Sequence, residues 1–215
     1  MKNRSLDAIF RPKSVAVVGA SRRPGSIGSE ILGKLLEGGF EGAVYPVNPH
    51  TSFLHSIKCY PSVRSIPDPI DLAIVVVPRE KVMGVVEECR LKKVRGLVVI
   101  TAGFREVGEE GARREAALRD KVRKAGMRMI GPNCMGVINT DPAIRLNATF
   151  AATPPTRGSA GFMSQSGALG EIILANARQI SLGVSMFASV GNKADISGND
   201  LIEYWENDPS VGVIL

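Results

Sequence analysis

A glycine-rich segment near the start of the chain carries the clearest chemical signal in the sequence. A run of apolar, mostly β-branched residues ends at Gly19, and Gly25 and Gly28 follow in a turn-forming stretch. Apolar residues then recur at helical spacing from Ile27 to Leu36. A strand, a glycine-rich turn and a helix start form a phosphate cradle, because glycines let the backbone approach and the helix N-terminus favours anions. The segment predicts a nucleotide-type ligand; a tight turn without a ligand is the alternative.

The residues after the second predicted strand narrow the class of ligand. An NAD-binding unit places Asp or Glu about 20 residues after the glycine-rich turn, where it holds the ribose hydroxyls. Here the strand ends in Asn48, Pro49 and His50 instead. NAD is therefore disfavoured, whereas a neutral or basic strand end suits a ligand with a phosphate on its ribose, such as NADP or coenzyme A (CoA).

A second phosphate-binding motif overlaps the first helix. The segment 28–34 fits most of a Walker loop, but Leu35 stands where a Ser or Thr would hold magnesium. The match also lies inside the helical repeat, so we interpret it as chance.

Composition and charge exclude several classes of partner. The formal net charge of +6 is compatible with anionic ligands or nucleic acid. Aromatic residues make up only 5% and no basic run is interleaved with them, which disfavours a stacking nucleic-acid surface. The sequence contains neither an apolar N-terminal run nor a membrane-length apolar stretch. We expect no nucleic acid partner and no membrane segment.

The cysteines indicate a reducing compartment. Cys59, Cys89 and Cys134 are far apart, odd in number and without metal-binding or CxxC spacing. We therefore predict a cytoplasmic protein without a metal site.

Apolar strands alternate with amphipathic helices over the first 130 residues, which predicts an α/β fold with a parallel sheet covered on both faces. The predicted strands are 14–18, 42–47, 72–77, 97–100 and 128–130, and the predicted helices are 26–38, 79–92 and 109–125.

Ligands of such sheets bind at the carboxyl ends of the strands. Five strand-end loops therefore form a candidate pocket rim. These loops are 19–22, 47–49, 77–78, 101–104 and 131–134.

The pattern changes after Asn139. The segment 140–157 has three prolines and no clear period, so it is predicted to be a linker. A second unit follows over 158–215, and its predicted strands are too few for a complete open sheet. We expect this unit to be incomplete, with an unpaired apolar edge at 211–215. Its predicted elements are strands 158–163, 184–190 and 211–215, and helices 168–180 and 200–207.

Several motifs in one register resemble the nucleoside-diphosphate-forming acyl-CoA synthetases. This family includes ADP-forming acetate–CoA ligase and the α-subunit of succinyl-CoA synthetase. The acetate–CoA ligase branch is the more similar, because GNKAD at 191–195 is its form of that loop. The motifs are GASRRPGSIG (19–28), YPVNP (45–49), DLAIVVVP (71–78), GPNCMG (131–136), MSQSGAL (163–169) and SVGNKAD (189–195).

The resemblance implies a fold and a domain organisation. It implies a Rossmann-like, parallel-sheet CoA-binding domain over 1–139, the linker 140–157, and the start of a flavodoxin-like domain of the succinyl-CoA synthetase type over 158–215.

The resemblance also implies how CoA is bound. The glycine-rich turn would hold the phosphates, 47–50 with 77–78 would border the adenosine part, 101–103 would lie along the pantetheine, and 133–134 would sit near the thiol. The residues implied for CoA are Gly19, Ala20, Ser21, Arg22, Gly25, Ser26, Ile27, Gly28, Val47, Asn48, Pro49, His50, Val77, Pro78, Thr101, Ala102, Gly103, Asn133 and Cys134. The turn implied for a phosphate or phosphohistidine is Ser164, Gln165, Ser166 and Gly167, which precedes a helix.

The implied reaction interconverts acyl-CoA, ADP and phosphate with acid, CoA and ATP through an acyl phosphate and a phosphohistidine. The chain has only two histidines, His50 and His55, and both lie early in it. By resemblance, the phosphorylated histidine lies beyond 215, and a separate ATP-grasp subunit or fused domain handles ATP, ADP and Mg²⁺. We therefore expect no catalytic residue in this chain, a short-chain acyl-CoA (acetyl-CoA) as ligand, and an oligomeric assembly.

Other functions stay open. The same pair of units, without a histidine, could be the CoA-sensing module of a protein acetyltransferase. A stand-alone CoA-binding protein and an NADP-binding redox domain are further alternatives. A catalytic role for Cys134 is disfavoured, because no His/Asn partner set accompanies it.

Overall fold

The computed structural model describes residues 6–215. Its strands are β1 Ser14–Val18, β2 Ala43–Val47, β3 Phe53–Leu54, β4 Ile57–Lys58, β5 Leu72–Val75, β6 Gly96–Val99, β7 Arg128–Ile130, β8 Gly136–Asn139, β9 Leu146–Thr149, β10 Arg157–Ser164, β11 Val184–Ser189 and β12 Val213–Ile214. Its helices are α1 Asp7–Phe10, α2 Ile27–Glu37, α3 Arg79–Leu91, α4 Glu109–Lys124, α5 Gly167–Gln179 and α6 Gly198–Glu206. Each of these helices is too short or too polar to span a membrane.

The first sheet has the strand order β2-β1-β5-β6-β7, and all of its strands are parallel. Strand β1 lies inside the sheet and is buried along its whole length. Val15 and Val17 pack in one core cluster with residues of α2, whereas Ala16 and Val18 pack in another with residues of α3 and α4. Helices thus cover both faces, and the predicted parallel α/β sheet is confirmed.

The second sheet is mixed, with the strand order β12-β10-β11-β8-β9. Strands β10, β11 and β12 are parallel, while β8 is antiparallel to β11 and β9 is antiparallel to β8. Two features of the sequence-based prediction are wrong here. Strand β9 lies inside the predicted linker 140–157, and the β8–β9 hairpin completes one side of a sheet that we expected 158–215 to form alone.

Burial explains the missed strand β9. Leu146 and Ala148 are fully buried, while Asn147 between them is half-buried. Prolines flank this short segment rather than interrupt it, so they do not prevent pairing with β8. The expectation of an unpaired 211–215 edge is also wrong in part, because β12 pairs with β10 through Val213 and Ile214.

The predicted helices begin and end within two residues of α2 to α6. Besides β9, the sequence analysis did not predict α1, β8 or the β3–β4 hairpin. The turn of that hairpin is His55 and Ser56, with φ of 48° and 64°. His55 is exposed there.

A buried carboxylate joins the two sheets. The Asp195 side chain, only 3% exposed, accepts hydrogen bonds from Arg123 Nε at 2.9 Å, Arg128 Nε at 3.0 Å and the Met129 N–H at 2.9 Å. Asp195 follows β11, whereas its partners lie on α4 and β7. The contact therefore connects the second sheet to the first.

Arg128 also connects to α6. Its Nη2 lies 2.9 Å from Asp200 Oδ1, and Ser197 Oγ donates to Asp200 Oδ2 at 2.6 Å. Burial opposes ionisation of Asp200, but the hydrogen bonds from Ser197 and Arg128 outweigh it and hold the pKa of this carboxyl below its usual range. A carboxyl with a depressed pKa stabilises the fold above its unfolded-state pKa, and this stabilisation is lost as the pH falls through the lower folded-state value. Acid therefore weakens the contact of Asp200 with Arg128, which joins α6 to β7.

We predict that Asp195→Ala lowers the free energy of unfolding by at least about 2 kcal/mol, because it leaves two arginines and a backbone N–H without their buried acceptor. Urea denaturation at neutral pH measures this loss. Asp120→Ala is the matched control, since its ion pair with Arg119 is 53% exposed on the carboxylate side and is worth at most about 1 kcal/mol. Equal losses of unfolding free energy in the two variants would contradict the stabilising role of the Asp195 contacts between the two sheets.

Candidate functional site

The carboxyl ends of three strands of the first sheet, β5, β6 and β7, meet around one cleft. It has a volume of about 460 Å³ and lies beside the start of α2. The loops after β5, β6 and β7 line it, together with one residue that follows β9. The lining residues are Ile27, Val76, Val77, Pro78, Ile100, Thr101, Ala102, Asn133, Cys134 and Phe150.

The glycine-rich turn brings α2 close to the end of β1. Gly19 has a φ of +96°, and a Cβ there would lie 2.3 Å from the Val76 carbonyl oxygen. A Cβ on Gly28 would lie 2.1 Å from the Gly19 carbonyl oxygen. Only glycines permit this approach, so the first turn of α2 packs directly against the residues that follow β1. Gly25, with a φ of +74°, has open space around its Cβ position.

The serines of this turn are hydrogen-bonded within it. Ser21 Oγ accepts from the Arg23 N–H at 3.0 Å, and Ser26 Oγ donates to the Arg23 carbonyl oxygen at 2.7 Å. Gly33 and Lys34 lie inside α2, so the Walker-like match is helical, as we interpreted it.

The loop after β2 contacts the glycine-rich turn rather than the cleft. Asn48 Nδ2 donates to the Ala20 carbonyl oxygen at 2.8 Å, and Asn48 Oδ1 accepts from the His50 N–H at 2.8 Å. Arg22 Nη2 donates to the Phe53 carbonyl oxygen at 2.8 Å, which ties the turn to the β3–β4 hairpin. Val47 is buried at the end of β2, while Pro49 and His50 are exposed. None of the residues 47–50 lines the cleft.

The loops after β5, β6 and β7 are hydrogen-bonded to one another. Thr101 Oγ1 donates to the Val77 carbonyl oxygen at 2.7 Å, and the Asn133 N–H donates to the Thr101 carbonyl oxygen at 3.0 Å. Gly103 has a φ of +99°, and its N–H donates to the Glu106 carboxylate. The sequence-predicted residues Val77, Pro78, Thr101, Ala102, Asn133 and Cys134 are thus brought together at the cleft.

Cys134 is held as a neutral thiol. Its Sγ lies 3.3 Å from the Val99 carbonyl oxygen, and the residue is 4% exposed. Burial raises the pKa of this thiol to about 12. A nucleophilic cysteine requires a thiolate, so this environment opposes such a role.

The turn 164–167 caps α5 at the end of β10. Ser166 Oγ accepts from the Leu169 N–H at 3.2 Å, and Ser164 Oγ donates to the Ser166 carbonyl oxygen at 2.8 Å. Gln165 is exposed. A Cβ on Gly167 would lie 3.4 Å from Met135 Cβ. The turn therefore contacts the residue that follows Cys134, although it does not itself line the cleft.

Three cleft residues were missed in the sequence. Val76 and Ile100 adjoin predicted rim residues, and extending each rim segment backward by one position would have found them. Phe150 lies in the predicted linker, and no local pattern marks it. Within the part of the chain that the structure describes, no group of three or more His, Cys, Asp or Glu side chains is placed to hold a metal ion.

Comparison with protein-family models agrees with this geometry. The CoA binding domain model matches residues 13–140, and the succinyl-CoA ligase like flavodoxin domain model matches residues 157–215. The fold and the matches define a CoA-binding domain followed by a domain of the succinyl-CoA ligase type.

Several known proteins are similar to this chain. The α-subunit of ADP-forming acetate–CoA ligase I from Pyrococcus furiosus is 46% identical over 98% of this chain and 46% of its own length. An ADP-forming 4-hydroxybutyrate–CoA ligase from Nitrosopumilus maritimus is 41% identical over 96% of this chain and 30% of its own length. The dinucleotide-forming acetyl-coenzyme A synthetase 1 of Ca. Korarchaeum cryptofilum, solved with phosphate and ADP, is 44% identical with a TM-score of 0.93, covering 100% of this chain and 45% of that one.

The chain spans less than half the length of these relatives. It belongs to the nucleoside-diphosphate-forming acyl-CoA synthetase family and represents the CoA-binding portion of that family.

We predict that iodoacetamide labels Cys134 of the folded chain far more slowly than it labels the urea-unfolded chain at neutral pH, because burial keeps the thiol protonated and inaccessible. Mass spectrometry of peptides from both samples measures the two rates. Equal rates at Cys134 would contradict the neutral, buried thiol.

Proposed function

We propose that this chain binds CoA and short-chain acyl-CoA at the cleft and at the adjoining glycine-rich turn. The observation that carries the proposal is the convergence of separately predicted strand-end loops on one cleft beside a helix N-terminus. The family match to a CoA binding domain over 13–140 supports the same assignment.

The chemistry of the two regions fits the two ends of CoA. Backbone N–H groups of the turn, with the positive end of α2, suit the phosphates. Apolar cleft residues such as Val77 and Ile100 suit the pantetheine arm, and Asn133 offers a polar group at the Cys134 end. Arg22, which is exposed within the turn, adds positive charge near the phosphates, while Asn48 and His50 would border the adenosine part.

The CoA site serves a larger reaction. We propose that the whole protein is an acid–CoA ligase (ADP-forming), which interconverts acyl-CoA, ADP and phosphate with acid, CoA and ATP. Relatives named for acetate and for 4-hydroxybutyrate support a small carboxylic acid as substrate, with acetate as the first candidate. The turn 164–167 would present the N-terminus of α5 to a phosphate or phosphohistidine.

The remaining parts of the reaction belong to other segments. An ATP-grasp subunit or fused domain would bind ATP, ADP and Mg²⁺, and the reactive histidine would lie outside these 215 residues. We propose that the assembly is oligomeric and cytoplasmic. The naming of relatives as α-subunits supports a partner subunit.

We predict that Gly25→Asn weakens CoA binding at least about tenfold in isothermal calorimetry. Asparagine tolerates the left-handed backbone of Gly25, so the turn keeps its shape while the new side chain occupies the phosphate approach. The loss of one set of phosphate contacts is worth about 1.4 kcal/mol or more.

Gly126→Asn is the matched control for this variant. Gly126 has a φ of +70° and open space at its Cβ position, but it follows α4, on a loop that does not line the cleft. Its CoA affinity should equal that of the unaltered chain. Equal affinities of Gly25→Asn and Gly126→Asn, or tighter binding of NADPH than of CoA by the unaltered chain, would refute the site assignment.

We predict that the 215-residue chain forms no ATP from acetyl-CoA, ADP and radioactive phosphate, and acquires no acid-labile label. Its two histidines lie in the loop after β2 and in the β3–β4 turn, whereas the turn 164–167 follows β10. Label on His50 or His55, located with the corresponding His→Ala variants, would place the reactive histidine within this chain and refute the proposal.

A further inference from the structure

A buried amide links the second sheet to the cleft. Asn192 lies on the loop after β11 and is only 6% exposed. Its Nδ2 donates to Glu106 Oε2 at 2.5 Å and to Glu115 Oε2 at 2.7 Å. A carboxylate only accepts hydrogen bonds, so these two contacts define which end of the Asn192 amide is the NH₂ group.

The other end of that amide faces the cleft wall. Asn192 Oδ1 lies 3.3 Å from Asn133 Nδ2. Because Asn192 presents an acceptor, Asn133 must present its own NH₂ group in return. The orientation of the Asn133 amide is therefore set by carboxylates that lie on other elements.

This orientation determines what Asn133 offers to a ligand. Asn133 is exposed and lines the cleft next to Cys134. Within residues 6–215, its Oδ1 accepts no hydrogen bond from the protein. With Nδ2 engaged by Asn192, the group left for a ligand is a carbonyl oxygen, which is an acceptor.

Glu106 also holds the loop after β6, which lines the cleft through Thr101 and Ala102. Its Oε1 accepts hydrogen bonds from the N–H groups of Gly103 and Phe104, on the loop after β6. Burial opposes ionisation of Glu106, but the hydrogen bonds from Asn192 and Gly103 outweigh it and keep its pKa below the usual range. One ionised carboxylate thus fixes the loop after β6 with one oxygen and the Asn192 amide with the other.

We propose that Glu106, Glu115 and Asn192 are positioning residues that orient the Asn133 amide, so that its Oδ1 accepts a hydrogen bond from the pantetheine arm of CoA. The donors on that arm are its amide N–H groups and its thiol. The proposal rests on the proposed function, since it requires CoA in the cleft.

The test compares two ligands by calorimetry. CoA carries the pantetheine arm, whereas adenosine 3′,5′-bisphosphate retains only the nucleotide end. Asn133→Ala and Asn192→Ala should each weaken CoA binding about fivefold to tenfold, the range of one lost hydrogen bond. Binding of adenosine 3′,5′-bisphosphate should stay within about twofold, because a nucleotide end does not reach Asn133.

The double variant Asn133→Ala/Asn192→Ala separates positioning from a general structural role. If Asn192 acts through Asn133, the double variant binds CoA no more weakly than Asn133→Ala. Additive losses of CoA affinity, or parallel losses for both ligands, would overturn the positioning role of Asn192. Neither result would contradict the proposal that the chain binds CoA. Failure of the unaltered chain to bind CoA would overturn the proposed function as well.

Glu106→Gln provides a second test if removal of the buried Asn192 side chain impairs folding. The glutamine oxygen can still accept from Gly103 and Phe104, but its NH₂ group would face the Asn192 NH₂ group. We expect selectively weakened CoA binding, with unchanged binding of adenosine 3′,5′-bisphosphate. Glu203→Gln, at an exposed position on α6, is the control and should bind both ligands normally. Equal CoA affinity in the Glu106→Gln and Glu203→Gln variants would overturn the positioning role of Glu106.

Discussion

The close contact of two loop backbones is the constraint on which the cleft depends. Gly191 has a φ of +54°, and a Cβ there would lie 2.3 Å from the Asn133 carbonyl oxygen and 2.4 Å from that of Pro132. The Asn192 N–H donates to the Pro132 carbonyl oxygen at 2.9 Å. Only glycine permits this approach. The loop after β11 thereby holds the loop after β7, which forms one wall of the cleft.

This constraint explains why the second sheet matters to a site on the first. The loop after β7 hydrogen-bonds to the loop after β6 through Asn133 and Thr101, and to the loop after β11 through Pro132 and Asn192. Asp195 adds a charged contact a few residues further on. The cleft is therefore built by both units, although the strands that aim its loops belong to the first.

Most helices and the strands of the first sheet could be predicted from the sequence, because local patterns of residue types indicate them. The β-branched run before Gly19 and the helical spacing after it predict β1 and α2 directly. The strand and the contact that we did not predict depend on residues that are distant in the sequence. Strand β9 is four residues long and is a strand only because β8 pairs with it. The contact of Glu106 with Asn192 joins residues 86 positions apart, and neither residue type signals it locally.

The sequence predicted which loops lie together better than it predicted what their side chains contact. The rim loops after β1, β5, β6 and β7 do meet, but Arg22 and Asn48 donate to backbone carbonyl oxygens and so shape the turn. Polar residue types mark a loop as functional without saying whether the side chain contacts a ligand or its own backbone. Backbone groups and the apolar wall are accordingly the main candidates for ligand contact.

A crystal structure of this chain with CoA tests the central claim most directly. We expect density for the diphosphate along the glycine-rich turn 19–28, and for the pantetheine arm in the cleft lined by Thr101, Ala102 and Asn133, with Asn133 Oδ1 within hydrogen-bonding distance of a donor on that arm. CoA bound elsewhere, or a pantetheine arm that leaves the cleft empty, would contradict the account.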